Sequence, residues 1–153
     1  MLKRMLKNQK GLTLIELLVV VVILGIIAAI AIPSIGGLID NAKKDAHVGN
    51  AQQMISSARI MLTSDPNKTE IKLEELIAGG YLEPMEDPDT KETGNSAPVT
   101  EGTAGDGYNW SASKVEVEVE NDVTVYTVTL IGKERKIEGV KQGELVRGDV
   151  VSR

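Results

Sequence analysis

The N-terminal end of the sequence contains an apolar run, residues 12–32, in which Glu16 is the one charged residue. A helix of about 21 residues extends about 30 Å, which matches the hydrocarbon core of a bilayer. A lone carboxylate there raises the free energy of insertion unless it is neutralised, so such an acid marks a functional position by default. The run therefore predicts a membrane-spanning helix with a functional acid close to its start.

A short leader, residues 1–11, precedes this run and is basic. Its four cations, which no acid accompanies, are Lys3, Arg4, Lys7 and Lys10. Because positive charge stays on the cytoplasmic side, the leader predicts a single pass through the cytoplasmic membrane with the C-terminus outside. Beyond the leader, 13 basic residues face 22 acidic ones, a formal charge of −9. Such an exterior repels polyphosphates, which argues against a broad nucleic-acid surface.

Three residues around the end of the leader have the spacing of a processing signal. A basic leader, Gly11, an apolar residue and Glu16 together resemble the class III signal of type IV pilins and pseudopilins. The resemblance implies that a prepilin peptidase cuts after Gly11, that Leu12 becomes an N-methylated N-terminus, and that Glu16 acts in filament assembly. The family most often has Phe after the cut, whereas this chain has Leu12 and contains no Phe.

The charges suggest how Glu16 would act. Cleavage would create a cationic amine at Leu12, about one helical turn away. In a filament, Glu16 of one subunit would neutralise the Leu12 amine of its neighbour, so that neither charge stays unpaired in an apolar core. Pro33 also lies where the family usually has a proline. The resemblance implies local unwinding between Gly25 and Pro33 inside the filament; the alternative is a tolerated kink in a membrane helix.

An ordinary secretory signal is a rival explanation for the N-terminal segment. Basic residues, an apolar stretch and Ala29, Ile30 and Ala31 together match an A-x-A cleavage site, which would leave Ile32 as the first residue. The apolar run is longer than a usual signal, it contains Glu16, and the helical pattern continues beyond it. The alternative without a functional role is that Glu16 is an acid near a helix end whose side chain reaches the membrane interface.

Beyond the apolar run, the helical pattern continues on one side only. Apolar residues recur at steps of three and four until Pro66 disfavours further helix, which predicts one helix over 12–64. The apolar positions of this second half are Ile35, Leu38, Ile39, Ala42, Ala46, Ala51, Met54, Ile55, Ala58, Met61 and Leu62. Residues 65–113 predict a short helix over 72–82 and a loop rich in Pro, Gly, Asp and Thr.

Residues 114–153 predict an antiparallel β-sheet. Valine and glutamate alternate over 114–120, Asn121 and Asp122 suit a two-residue turn, and 123–131 form the return strand. The apolar phase of the return strand slips after Val125, which indicates either two partly covered faces or a bulge. A weaker strand over 135–140 and an edge over 145–151 follow. The fold class is α+β, with the valine face packed on the second half of the helix.

Few residues in the sequence suggest a metal or a reaction. His47 is the single histidine and is predicted to be a surface residue with satisfied hydrogen bonds, because one histidine without cysteine makes no zinc site. Five acids suggest either calcium or, more simply, a solvated acidic loop: Glu83, Glu86, Asp87, Asp89 and Asp106. Tyr108 and Trp110 are predicted to anchor the core. We expect no cofactor, no metal and no enzymatic activity.

Taken with the resemblance, these features predict a structural subunit of a type IV pilus-like filament, acting in adhesion, motility or surface attachment. Its partners would be further copies of itself, the prepilin peptidase, the pilus assembly platform and motor, and the membrane from which it enters a cell-surface filament. One alternative is a pseudopilin of a competence DNA-uptake or type II secretion machine. Another is a membrane-tethered binding domain that never polymerises, although a simple tether has no use for Glu16.

Overall fold

The computed structural model describes residues 12–90 and 107–153. The chain divides into two compact units, Met1–Asp40 and Asn41–Arg153. Its architecture is a long N-terminal helix, α1 (Leu14–Ser64), followed by a small antiparallel sheet of five strands. The predicted α+β class is therefore confirmed.

The part of helix α1 (Leu14–Ser64) that belongs to the first unit is apolar on all sides. Every Leu, Ile and Val side chain from Leu12 to Ile39 is exposed. By length and composition this segment can cross a membrane. The helix runs through Gly25 and Pro33 without interruption. Local unwinding at these two residues was predicted for the filament and stays a prediction.

The part of α1 that belongs to the second unit is buried on one face only. The buried residues there are His47, Ala51, Met54, Ile55, Ser57 and Ala58. Their spacing of three and four residues keeps them on one side of the helix. Ala42 and Ala46 were assigned to the apolar face but are exposed, so the buried face begins at His47.

The sheet has simple meander topology after its first strand. Its strands, in spatial and sequence order, are β1 (Glu70–Lys72), β2 (Lys114–Glu120), β3 (Val123–Ile131), β4 (Arg135–Lys141) and β5 (Val151–Ser152). Strands β2 and β3 have the predicted bounds, and Asn121 and Asp122 take positive φ values of 51° and 63°, as a two-residue type I′ turn requires.

The predicted short helix is present as α2 (Leu73–Ala78), with shorter bounds than 72–82, and strand β1, which precedes it, was not predicted. Ile71 is fully buried and lies opposite Val115 of β2. A three-residue strand carries no readable period, so its pairing with β2 decides its conformation. The predicted edge over 145–151 is also largely wrong. The 3₁₀ turn Arg147–Asp149 lies within this range, a second 3₁₀ turn, Gln142–Glu144, precedes it, and of the predicted range only Val151 belongs to a strand, β5.

The core of the second unit joins the buried face of α1 to one face of the sheet. Val115, Val117 and Val128 pack in the same cluster as Met54 and Ile55, whereas the next valine of β2, Val119, is exposed. The predicted packing of the valine face is thus correct for two of its three residues. Tyr108 is buried in this cluster and Trp110 packs against it, as expected.

The phase slip in β3 has a simple structural explanation. The ladder between β2 and β3 is unbroken, and Val125, Tyr126 and Thr127 are all half-buried. Both faces of β3 are therefore partly covered. A bulge does occur, but in β4, where Gly139 takes a φ of 63° and donates its N–H to Thr129 Oγ1 at 3.1 Å.

Candidate functional site

Two parts of the molecule contain charged or polar groups in apolar surroundings. The first is the N-terminus of α1, where the sequence places Leu12 and Glu16. Both residues are exposed, and Gly11 lies outside the described residues. The helix beyond Glu16 is apolar on all sides as far as Ile39, so Glu16 is the single anion of residues 12–39.

A local contact at this helix start was missed by the sequence analysis. The backbone N–H of Glu16 donates to Thr13 Oγ1 at 3.3 Å. Thr13 followed three residues later by Glu16 is the spacing of a capping box, and an acid in the first turn also interacts favourably with the helix dipole. The signal was readable in the sequence. Glu16 therefore stabilises its own helix, a role separate from any action between subunits.

The second part is a buried polar cluster around His47, which is 1% exposed. His47 Nε2 lies 3.0 Å from Asp89 Oδ2, and Nδ1 lies 2.8 Å from the hydroxyl oxygen of Tyr108. The imidazole also meets the Tyr108 ring edge-on, with centroids 5.6 Å apart. Both ring nitrogens thus have partners from segments far away in sequence, on either side of residues 91–106.

One arrangement of protons satisfies the hydrogen bonds of these groups. Asn50 Nδ2 donates to the Tyr108 hydroxyl oxygen at 2.9 Å. The Tyr108 O–H is then free to donate to His47 Nδ1, which leaves Nε2–H to donate to Asp89. Burial raises the pKa of Tyr108, while the bond from Asn50 opposes that shift. The phenol therefore keeps the proton that it donates.

The two aspartates of the cluster are buried, and both accept hydrogen bonds from other groups of the protein. Asp89 Oδ1 accepts a bond of 2.7 Å from Arg135 Nη1, and Lys43 Nζ lies 3.6 Å from the same oxygen. Asp87 accepts two backbone N–H groups, from Asp89 at 2.9 Å and from Lys133 at 2.6 Å. Buried carboxylates are tolerated when cations and N–H groups compensate their lost hydration, and both conditions are met here.

The expectation of a solvated acidic loop is wrong for Asp87 and Asp89, which are 2% and 3% exposed. Glu83 and Glu86 are exposed, as expected, and Asp106 lies outside the described residues. His47 was predicted to be a surface residue and is buried, although its hydrogen bonds are satisfied as expected. The reason is that Asp89 and Tyr108, 42 and 61 residues further along the chain, cover it.

The donor atoms of the cluster are close enough together to hold a metal ion, but they are already used in hydrogen bonds within the protein. Donor atoms of His47, Asp87 and Asp89 lie within 4.8 Å of one another. However, His47 Nε2 and both carboxylates already form hydrogen bonds with other groups of this chain. Arg135 and Lys43 already supply positive charge to Asp89. A divalent ion would have to displace these bonds and face two cations, so the arrangement fits a self-neutralised network.

A chelator experiment follows from this assignment. Because the network is neutralised from within, adding EDTA, calcium or zinc should leave the thermal unfolding midpoint of the protein unchanged. The fluorescence of Trp110, the single tryptophan, can follow unfolding. An increase of several degrees with either ion at micromolar concentration would instead show a metal site, since a ligand that binds only the folded state raises its stability.

The network links described residues that precede 91 and follow 106 to helix α1. Asn50 Nδ2 donates to the backbone oxygen of Glu86 at 3.2 Å as well as to Tyr108. Glu86 in turn forms a β-bridge with Gly107. The chain has no cysteine, so no disulfide can make this closure. Hydrogen bonds and ion pairs to α1 hold these two points of the chain together.

Comparison with known proteins bears on the N-terminal motif and on the whole chain. A family model described as a prokaryotic N-terminal methylation motif matches residues 6–32. Two curated proteins of Pseudomonas aeruginosa, both named fimbrial protein, are each 31% identical over 150 residues, covering 96% of this chain and 79% of each relative. No solved structure gives a significant match.

Proposed function

This chain belongs to the type IV pilin family, and on that premise we propose that it is the structural subunit of a type IV pilus-like filament. It would be made as a precursor anchored by residues 12–32, cleaved after Gly11 and N-methylated at Leu12. A structural family of this kind assembles into filaments of many identical copies, and the exposed apolar segment of α1 suits that role.

The observation that carries the proposal is the extent of the similarity. The methylation motif alone would be shared by pilins and pseudopilins. The fimbrial proteins match over 96% of this chain, which includes the sheet as well as the N-terminal helix. This favours a pilus subunit over a pseudopilin of a competence or secretion machine. Deleting the gene and scoring filaments, DNA uptake and secretion in one strain would separate the two.

Glu16 is proposed to direct assembly. In the membrane its carboxylate lacks hydration, and in a filament it would meet the cationic Leu12 amine of a neighbouring subunit. The pairing removes two uncompensated charges from an apolar environment at once. It also sets the axial position of one subunit against the next, because the amine and the acid are about one helical turn apart.

Processing gives the most direct test of this proposal. The intact mass of protein from sheared filaments should correspond to a chain that begins at Leu12 and carries one methyl group. A Gly11→Val chain is the control, since a bulky residue at the cleavage site should leave precursor mass in the membrane. A mature chain that begins at Ile32 would show an ordinary secretory signal and contradict the proposal.

A further inference from the structure

The two edges of the sheet are not equally covered. Strand β1 pairs with β2 over Lys114–Glu116, and the N–H of Val117 donates to Thr69 O at 2.8 Å. Beyond that bond, β2 has no further partner on this side within the described ranges 12–90 and 107–153. The open part borders a groove lined by Thr69, Glu70, Glu116, Val117, Glu118 and Val119.

The backbone of Val119 occupies this open edge. In an antiparallel ladder the N–H and C=O groups of alternate residues face the same neighbour. Val117 bonds toward β1, so Val119 presents its N–H and C=O on the same side. Its side chain is 71% exposed. An exposed edge with unpaired backbone groups is a template for another strand.

The opposite edge of the sheet has a matching open position. Arg153 donates its N–H to Glu134 O at 3.0 Å, which directs the backbone of Arg153 and Val151 toward β4. By the same alternation, the N–H and C=O of Ser152 face away from the sheet. Val151 and Ser152 are both exposed.

Charge and side-chain direction select one register between these edges. If Val119 of one copy pairs antiparallel with Ser152 of another, Glu118 lies opposite Arg153 on one face of the joined sheet. Glu118 has no ion pair within the described part of the chain. Among the residues that the structure describes, the guanidinium of Arg153 makes one long bond of 3.3 Å, to the Gly132 oxygen. Glu120, by contrast, is already paired with Lys141.

We propose that the open edge of β2 in one subunit pairs with β5 of a second copy of this chain, centred on Val119 and Ser152, with Glu118 facing Arg153. The inference rests on the proposed filament function. The two edges are different surfaces, so the contact is heterologous, the type of contact from which a helical filament is built when its rotation does not close into a ring. The bonds gained are two backbone hydrogen bonds and one ion pair for each contact.

A cysteine pair tests this contact directly, because the natural chain has no cysteine. Antiparallel partners of this kind have Cα atoms about 5.5 Å apart, within the range that a disulfide spans. Filaments of the Val119→Cys/Ser152→Cys chain should form a ladder of covalent oligomers on mild oxidation. The matched control is Val119→Cys/Ser111→Cys, in which Ser111 is exposed but not on an edge. Neither that pair nor each single cysteine should form a ladder.

The outcomes separate the edge contact from the proposed function. Filaments of the cysteine pair without a ladder would overturn the contact and leave the filament function standing. If the natural chain forms no filaments in a strain that carries its assembly machinery, both the edge contact and the filament function are contradicted. If the cysteine pair alone fails to assemble, charge reversal decides the question. Glu118→Arg should lower the thermal stability of filaments and Glu118→Arg/Arg153→Glu should restore it, whereas no restoration would count against the contact.

Discussion

Replacing Glu16 with Gln should nearly abolish filament assembly while leaving the subunit in the membrane and correctly processed. Gln keeps the size and hydrogen-bonding capacity of the side chain but removes its charge. Insertion should become easier, because an uncharged amide is less costly in lipid than a carboxylate. Cleavage after Gly11 should persist, because the proposed cut would lie five residues away on the cytoplasmic side.

The expected defect comes from the Leu12 amine that the proposed cleavage would create on the neighbouring subunit. Without the anion of Glu16 this amine would enter the apolar filament core unpaired, at a cost of about 3–5 kcal/mol. That free energy corresponds to a loss of incorporation of more than about a hundredfold. A methylated amine is still a cation, so methylation should not rescue the variant. Electron microscopy of the cell surface and the mass of the membrane-bound chain are the two measurements.

Thr13→Ala is the matched control, because the structure gives Glu16 a second role in its own helix. The substitution removes the cap of the Glu16 N–H and should cost about 1 kcal/mol of helix stability. It leaves the charge in place. Gln is also suited to the capping-box position of Glu16, so Glu16→Gln keeps the local helix signal. Equal loss of filaments from both variants would mean that helix capping, and not charge pairing, drives assembly.

The second large effect is expected from Asp89→Ala in the buried cluster. The substitution removes the buried carboxylate that accepts a bond from Arg135 Nη1 at 2.7 Å and that lies 3.0 Å from His47 Nε2. Removing one partner of a buried ion pair typically costs about 3–5 kcal/mol. For a unit of this size that loss corresponds to roughly 10–20 °C in the unfolding midpoint.

Fluorescence of Trp110 in the detergent-solubilised mature chain can measure this shift. Asp45→Ala is the matched control, since it also removes an aspartate that pairs with an arginine. The Arg147 guanidinium holds the pKa of Asp45 below its ordinary value. Both partners are exposed, however, and surface pairs contribute little to stability. Asp45→Ala should therefore shift the midpoint far less than Asp89→Ala. Similar shifts would show that the buried network is not what stabilises this region.

The sequence alone determines the elements whose signal is local. The apolar run of 12–32 is visible because membrane insertion depends on a continuous stretch of residues. The strands β2 and β3 have the predicted bounds because alternation and a two-residue turn at Asn121 and Asp122 are properties of neighbouring residues. The capping contact between Thr13 and Glu16 is also local, and the sequence contained its signal.

Tertiary structure alone decided the positions that depend on partners far along the chain. Strand β1 is three residues long and is extended because β2 pairs with it. His47 and Asp89 look like ordinary surface residues, since the imidazole and the carboxylate are usually hydrated. They are buried because the fold supplies Tyr108 and Arg135 at hydrogen-bonding distance. A buried charge is stable only when its partners are present, and residues tens of positions apart are brought together by the packing of the whole unit.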